Sequence, residues 1–281
     1  MADVIARDLR FHVQRLGSHD DDAPTHAGDT SAPGATSRAR PTVVLLHGLV
    51  MDNLSSLYFT LANPLAATFD VVLYDLRGHG LSERPSTGYT LRDMVLDLES
   101  LLDSLALKQS VFFVGNSFGG LLGLAFAATF PDRARGVALI DGHVGQTGWA
   151  DRMAATLALE GEERDRQIAV SFQNWLGRHS EKKSNRLARS AAALVHSTSL
   201  VADMRSSGAL SDTDLARVRA PVLALYGETS DLRPEAERTA RLLSTCELRI
   251  LAGCTHSVLW EATSLVKEAV ITWLTALSGE R

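Results

Sequence analysis

The stretch that decides the fold is VFFVGNSFGGLLGLAFAATF, residues 111–130. Its first part, Val111 to Val114, is a short apolar run of the length of a buried strand. Glycines then cluster around Ser117, and Leu121 to Thr129 is rich in alanine and leucine, as a buried helix is. The stretch therefore predicts a strand, a sharp turn that carries Ser117, and a helix.

The same region carries no charge from Gln109 to Pro131, which is long enough for a membrane-spanning helix. Glycines, together with Asn116 and Ser117, interrupt it. A strand and a helix packed in a protein core explain this composition better than a membrane span does. We therefore expect a protein without a transmembrane segment.

The composition of the 281-residue chain narrows the classes of function. Its formal net charge is −5, from 28 Lys and Arg against 33 Asp and Glu, so no basic surplus favours nucleic-acid binding. Two cysteines, Cys246 and Cys254, are too few for a disulfide framework and suit a reducing compartment. Residues 1–10 lack the apolar core of a secretory signal. These features predict a cytoplasmic protein that binds no nucleic acid.

Apolar runs on both sides of this stretch alternate with helical patterns. Further strands are predicted at Thr42–Leu46, Val71–Tyr74, Val137–Ile140, Val222–Tyr226 and Leu248–Leu251, after a hairpin at Val4–Ala6 and Leu9–Arg15. Helices are predicted at Leu91–Leu105, Pro234–Leu243 and Leu259–Leu277. This alternation predicts an α/β fold with a doubly wound, mostly parallel sheet.

Two segments interrupt the alternation. Residues 17–40 are rich in Asp, Gly, Ala, Ser, Thr and Pro, which predicts a mobile surface loop. Between residues 142 and 219 the strand pattern stops and helical periodicity replaces it. We therefore expect a core made of residues 1–141 and 220–281, with a helical cap inserted at residues 142–219.

The turn around Ser117 matches the pattern G-x-S-x-G in Gly115-Asn116-Ser117-Phe118-Gly119. Between a strand and a helix, this pattern is typical of a nucleophile elbow, in which the serine attacks a carbonyl. A serine hydroxyl needs a base and an acid that orients the base, in the chain order Ser, acid, His. His256, on a loop after the last predicted strand, is the candidate base.

Three carboxylates could orient His256. Asp231 follows the strand Val222–Tyr226 and is the preferred candidate. Asp141, directly after the strand Val137–Ile140, and Glu228 remain alternatives. All three residues lie on loops that follow predicted strands, so the sequence leaves the choice among them open.

The oxyanion formed by such a reaction needs two backbone N–H donors. Phe118, the residue after the nucleophile, supplies one. The loop His47-Gly48-Leu49 supplies the other, where Gly48 lets the chain turn inward and Leu49 offers its N–H group. His47 is expected to brace this turn rather than to react.

Several motifs together resemble the α/β-hydrolase-fold serine hydrolases: LLHG at residues 45–48, YDLRGHGLS at residues 74–82, the turn around Ser117, LYGE at residues 225–228 and the loop that carries His256. The resemblance covers nearly all of the chain apart from residues 17–40 and the details of the cap. It implies that Asp75 and His79 belong to a structural turn. The elbow is also similar to that of the family's carbon–carbon bond hydrolases, although their Gly-rich run after His-Gly is missing here.

The resemblance implies hydrolysis of a carboxylic ester or thioester of an apolar acyl group through an acyl-enzyme. The substrate would be a small molecule or a carrier-bound acyl group, with no cofactor and no metal. On the cap, Ile168, Phe172 and Trp175 share a helical face and are expected to contact the acyl chain. A carbon–carbon bond hydrolase and a non-catalytic ligand-binding protein of the same fold are the alternatives. The oligomeric state stays open.

Overall fold

The computed structural model describes residues 2–17, 40–144, 190–207 and 210–279. Its strands form an eight-stranded sheet in the order β1-β2-β4-β3-β5-β6-β7-β8. Their bounds are β1 Ala2–Ala6, β2 Leu9–Leu16, β3 Thr42–Leu46, β4 Asp70–Tyr74, β5 Val111–Asn116, β6 Ala134–Ile140, β7 Val222–Gly227 and β8 Cys246–Leu251. The β1–β2 and β2–β4 pairs are antiparallel, and all the other pairs are parallel.

Helices cover both faces of the sheet. They are α1 Ser55–Leu57, α2 Asn63–Ala66, α3 Leu91–Ser104, α4 Phe118–Thr129, α5 Leu200–Ser207, α6 Asp212–Ala216, α7 Arg233–Leu242, α8 Val258–Glu261 and α9 Thr263–Gly279. A π-helical turn, Tyr58–Ala62, joins α1 to α2, and residues 190–197 are also helical. The predicted α/β class, with a doubly wound and mostly parallel sheet, is confirmed.

The predicted strands agree with the observed ones to within a few residues, and two helical regions differ. The predicted helix Leu259–Leu277 is two helices, because the backbone at Ala262 leaves the helical conformation with φ −127° and ψ 39°. The helical segment from α1 to α2 was not predicted. Its buried Leu57, Leu61 and Leu65 recur every four residues, which is the spacing of one helix face.

The hydrophobic core lies in two layers, one on each face of the sheet. Alternate residues of β3 show this division: Val44 and Leu46 belong to one layer, and Val43 and Leu45 to the other. The uncharged region 109–131 forms β5 and α4, and α4 is buried on nearly every side. Among the described residues, no helix is long and apolar enough to cross a membrane.

Part of the predicted cap is described, and hydrogen bonds join it to the first residue of α3 and to the segment just before α3. The Ser207 hydroxyl oxygen accepts a hydrogen bond from the Leu91 N–H group at 3.0 Å, and Asp203 accepts one from the Tyr89 N–H group at 2.7 Å. The predicted substrate-contacting residues Ile168, Phe172 and Trp175 lie outside the described residues, as does most of the predicted loop at residues 17–40.

Candidate active site

Ser117 sits on a sharp turn between β5 and α4. Its backbone has φ 53° and ψ −117°. A residue with a side chain adopts this conformation only in a tightly constrained turn. A Cβ atom at Gly119 would lie 2.0 Å from the Leu46 carbonyl oxygen, and one at Gly115 would lie 2.2 Å from the carbonyl carbon of Gly119. Both glycines of the G-x-S-x-G pattern are therefore needed for the close approach of β3, β5 and α4.

Three side chains from distant parts of the chain form a hydrogen-bonded series at this turn. Ser117 Oγ lies 3.1 Å from His256 Nε2, and Asp141 Oδ1 lies 2.8 Å from His256 Nδ1. Because a carboxylate can only accept, Nδ1 carries the ring proton and Nε2 is left to accept the proton of Ser117. Asp141 is fully buried, whereas the His256 side chain is 33% exposed.

The prediction that Asp231 contacts His256 is wrong. Asp231 is exposed, and no hydrogen bond joins it to His256 in the described part of the chain. Asp141 holds that place because β6 lies next to β5 in the sheet, so the residue that follows β6 emerges beside Ser117. Its backbone has φ 46°, and its N–H group donates to the Leu225 carbonyl oxygen at 2.7 Å.

The end of β7 and the loop after it donate hydrogen bonds to Asp141, and neither supplies the predicted carboxylate. The Gly227 N–H group donates to Oδ2 of Asp141 at 2.8 Å, and the Ser230 hydroxyl donates to Oδ1 at 2.6 Å. Ser230 was not among the predicted site residues; it is buried one residue before the exposed Asp231. The third candidate acid, Glu228, accepts a hydrogen bond from the Gly253 N–H group at 2.9 Å and so braces the loop that carries His256.

His256 reaches the site because its loop crosses the end of β7 at Gly227. A Cβ atom at Gly227 would lie 2.4 Å from the carbonyl oxygens of both Cys254 and Thr255. The N–H group and the hydroxyl of Thr229 both donate to the Cys254 carbonyl oxygen, each at 2.9 Å. Only a glycine therefore lets the loop lie this close to β7 and deliver His256 to Asp141.

The loop after β3 lies against the Ser117 turn. A Cβ atom at Gly48 would be 3.6 Å from Ser117 Cβ, so this loop and the first residue of α4, Phe118, flank Ser117. The Gly48 N–H group donates to Asp52 at 2.8 Å. Phe118 directly follows Ser117, and Leu49 directly follows Gly48 on this loop; their role as oxyanion donors stays a prediction.

Two buried histidines brace the same loop. His47 accepts the Leu76 N–H group at 2.9 Å, in the bracing role predicted for it, and His79 Nε2 accepts the Val50 N–H group at 2.8 Å. Burial, followed by the neighbouring His47, lowers the pKa of His79 to about 3, so its ring stays neutral. Val50 has φ 68°, an uncommon value for a β-branched residue, and its bond to His79 helps to hold that conformation.

Other polar groups surround the buried carboxylate. The Tyr226 hydroxyl donates to the Gly142 carbonyl oxygen at 2.6 Å, directly after Asp141. Burial, and then the negative charge of Asp141, raise the pKa of Tyr226 well above its ordinary value, so the hydroxyl keeps its proton. The ring of His143, which the sequence analysis also missed, lies 5.5 Å from the His256 ring between centroids.

The thiol of Cys254, two residues before His256, lies in surroundings that favour its protonated form. Burial, and then the nearby Glu261 carboxylate, raise the pKa of the Cys254 thiol, so the thiolate is scarce at neutral pH. Burial also raises the pKa of Cys246, to about 11. Both cysteines are free thiols.

Three features define the class of this protein: a strand–elbow–helix turn, a histidine after the last strand and a mostly parallel eight-stranded sheet. A family model for the alpha/beta hydrolase fold matches residues 41–218, and the chain belongs to this family.

Individual relatives show how varied the family's chemistry is. The chain is 28% identical over 255 residues to the protein named "Putative carbamate hydrolase RutD" of Serratia proteamaculans, covering 86% of this chain and 93% of that one. It is 34% identical over 102 residues to the cis-3-alkyl-4-alkyloxetan-2-one decarboxylase of Shewanella oneidensis, covering 35% of this chain and only 31% of that one.

A solved structure shows the same fold at low sequence identity. The meta-cleavage product hydrolase of Pseudomonas fluorescens IP01 superposes with a TM-score of 0.78 and 17% identity, covering 98% of each chain. At this identity the likeness establishes the fold and leaves the reaction to be inferred from the site.

Proposed function

We propose that this protein is a serine hydrolase that cleaves a carboxylic ester or thioester of an apolar acyl group. The observation that carries the proposal is the hydrogen-bonded series of Ser117, His256 and Asp141 at the turn after β5. In this proposal Ser117 is the nucleophile, His256 the general base and acid, and Asp141 the acid that orients His256.

The acylation step follows from the tautomer of His256. Ser117 Oγ attacks the carbonyl carbon of the substrate while its proton moves to His256 Nε2. The ring is then an imidazolium, whose Nδ1–H bond to the buried Asp141 fixes its orientation and stabilises its charge. When the tetrahedral intermediate collapses, His256 returns the proton to the leaving alcohol or thiol, and the acyl group stays on Ser117.

The oxyanion of the intermediate is held by the N–H groups of Leu49 and Phe118 in this proposal. Phe118 directly follows Ser117, and Leu49 follows Gly48, where an added Cβ atom would lie 3.6 Å from Ser117 Cβ; both facts support the assignment. In deacylation, His256 takes a proton from water, the water oxygen attacks the acyl carbon, and the proton returns to Ser117 as the carboxylic acid leaves.

The preference for an apolar acyl group rests on the cap sequence. Ile168, Phe172 and Trp175 form an apolar helical face at the sequence level, and we propose that this face contacts the acyl chain of a small-molecule or carrier-bound substrate. Substituting Trp175 or Phe172 with Ala would then change the preferred acyl length. A panel of esters and thioesters of increasing chain length measures that preference.

Labelling with a fluorophosphonate tests the mechanism directly. The reagent should phosphonylate Ser117, and mass spectrometry of the digested protein locates the label. Ser117→Ala should abolish labelling, and His256→Ala should slow it by roughly 10³-fold or more, because the histidine activates the serine. A folded wild-type protein that is not labelled would favour the non-catalytic ligand-binding alternative.

Carbon–carbon bond hydrolysis is the second candidate, favoured by the sequence of the elbow, Gly115 to Gly120. The same serine and histidine could serve a substrate whose carbonyl lies next to the bond to be cleaved. Leu49 and Val50 follow the His-Gly pair where that subclass has glycines, which favours the ester or thioester. Turnover of a vinylogous 1,5-diketone, with no turnover of esters, would reverse the order of the two candidates.

A further inference from the structure

We propose that Ser230 is a positioning residue that holds the carboxylate of Asp141 for His256; this inference rests on the proposed function. Ser230 Oγ lies 2.6 Å from Asp141 Oδ1, and the same oxygen lies 2.8 Å from His256 Nδ1. The carboxylate oxygen that orients the base is therefore shared between the imidazole and a hydroxyl from the next strand's loop.

The direction of the Ser230 proton follows from the other bonds of its hydroxyl. Ser230 Oγ accepts a hydrogen bond from the Leu232 N–H group at 3.1 Å. The Asp141 carboxylate offers only acceptor atoms, so the hydroxyl proton must be the one that bridges Ser230 to Asp141. The side chain thus has one role as an acceptor within its own loop and one as a donor to the buried carboxylate.

The backbone around Ser230 keeps its side chain in place. Ser230 is 6% exposed, and its N–H group donates to the Gly227 carbonyl oxygen at 3.2 Å. Gly227 in turn donates its own N–H group to Oδ2 of Asp141 at 2.8 Å. One short turn therefore supplies a donor to each oxygen of the carboxylate.

The donors from Ser230 and Gly227 restrict the rotation of the Asp141 carboxylate about its Cβ–Cγ bond. Without Ser230, Oδ1 would keep only the hydrogen bond from His256 and Oδ2 only the one from Gly227, so the carboxylate would be held less tightly against rotation about its Cβ–Cγ bond. A hydrogen bond to a charged group contributes more than one between neutral groups, and a buried carboxylate gains most from it. Ser230 acts on catalysis through Asp141 and touches no substrate atom in this proposal.

The variant Ser230→Ala removes the hydroxyl and tests the proposal with two readouts. The first is the proton NMR resonance of His256 Nδ1–H, which lies far downfield when this proton is shared with a carboxylate and is assigned by its loss in His256→Ala. It should move by several tenths of a ppm, because Oδ1 no longer shares its charge with a hydroxyl proton. The second is the second-order rate of fluorophosphonate labelling of Ser117, which should fall about tenfold.

Ser82→Ala is the matched control for the loss of a buried serine hydroxyl. The Ser82 hydroxyl also donates once, to the Asp75 carbonyl oxygen at 2.6 Å, and accepts once, from the His12 N–H group at 2.9 Å. It should lower the melting temperature about as much as Ser230→Ala and leave the His256 resonance where it is.

An unchanged resonance in a folded Ser230→Ala variant would overturn the role of Ser230, and so would a shift of equal size in Ser82→Ala. The resonance does not depend on turnover. If the wild-type protein fails to label, the proposed function fails, while the resonance still decides whether Ser230 positions Asp141.

Discussion

The loops after β6 and β7 leave neighbouring strands at the same edge of the sheet, yet they contribute different groups to the site. The loop after β6 places a buried carboxylate, Asp141, against His256. The loop after β7 carries two acidic residues, Glu228 and Asp231, and both are exposed. It contributes the Ser230 hydroxyl to the site, beside the N–H group of Gly227 at the end of β7. A carboxylate in a suitable loop is therefore weaker support for a catalytic role than the position of its strand relative to the nucleophile.

The largest effect should come from exchanging the two acids for amides one at a time. Asp141→Asn should lower kcat by about 10⁴-fold, because an amide no longer selects the tautomer of His256. Asp231→Asn should change kcat by less than about twofold, as expected of an exposed side chain. Steady-state kinetics on a short-chain ester measures both. Equal losses in the two variants would contradict the division of work between the loops.

A smaller loss of kcat is expected when a side chain is added at Gly227, where the loop that carries His256 crosses β7. In Gly227→Ala the new methyl group would overlap the carbonyl oxygens of Cys254 and Thr255, so the loop and His256 must shift. A displacement of about 1 Å can cost about 10²-fold in kcat, and we expect a loss of that order with the fold retained.

Gly253→Ala is the control, because it adds a methyl group to the same loop where no atom lies within 4 Å. Its φ of 67° will lower the melting temperature, but kcat should stay within a few-fold of the wild type. If Gly253→Ala lost as much activity as Gly227→Ala, the crossing at β7 would not be the cause.

The loop after β3 affects stability through a titratable group: His79, which braces it, stays neutral. The pKa of His79 is about 3 in the folded protein, below the ordinary value of 6.5. As the pH falls below 6.5 the unfolded chain binds a proton that the folded chain does not, so the free energy of unfolding falls until the pH approaches 3.

In His79→Gln this contribution disappears, although the amide oxygen can still accept the Val50 N–H group. The variant's free energy of unfolding should therefore depend less on pH between 4.5 and 6, by about 1 kcal/mol per pH unit. Urea denaturation at several pH values measures the two slopes. Parallel slopes would mean that His79 is protonated in the folded protein.

The smallest effect is expected at Glu228, whose carboxylate braces the His256 loop from the surface. Glu228→Gln keeps an acceptor for the Gly253 N–H group and weakens only the charge on that bond, so kcat should fall about twofold or less. A loss as large as that of Asp141→Asn would instead make Glu228 the acid that orients His256.

The sheet was predictable because its strands are short apolar runs that alternate with helical spacing, and the Ser117 turn was predictable because its glycines are required by backbone contacts. His256 was predictable as the histidine on the loop after the last strand. The contact of Asp141 with His256 was not predictable, because Asp141, Glu228 and Asp231 all follow strands, and only the sheet order shows that β6 lies beside β5. Ser230 carries no sequence signal, since its importance depends on a contact with a residue 89 positions away.

Three residues with side chains have positive backbone φ angles at this edge of the sheet: Val50, Ser117 and Asp141. Such a conformation costs roughly 1–2 kcal/mol for a residue that is not glycine. A laboratory selection for heat resistance alone would therefore favour glycine or asparagine at these positions. In a library screened only for survival at high temperature, the substitutions that gain the most heat tolerance should include those that abolish turnover. An engineering campaign on this enzyme has to screen activity in the same round as thermal tolerance.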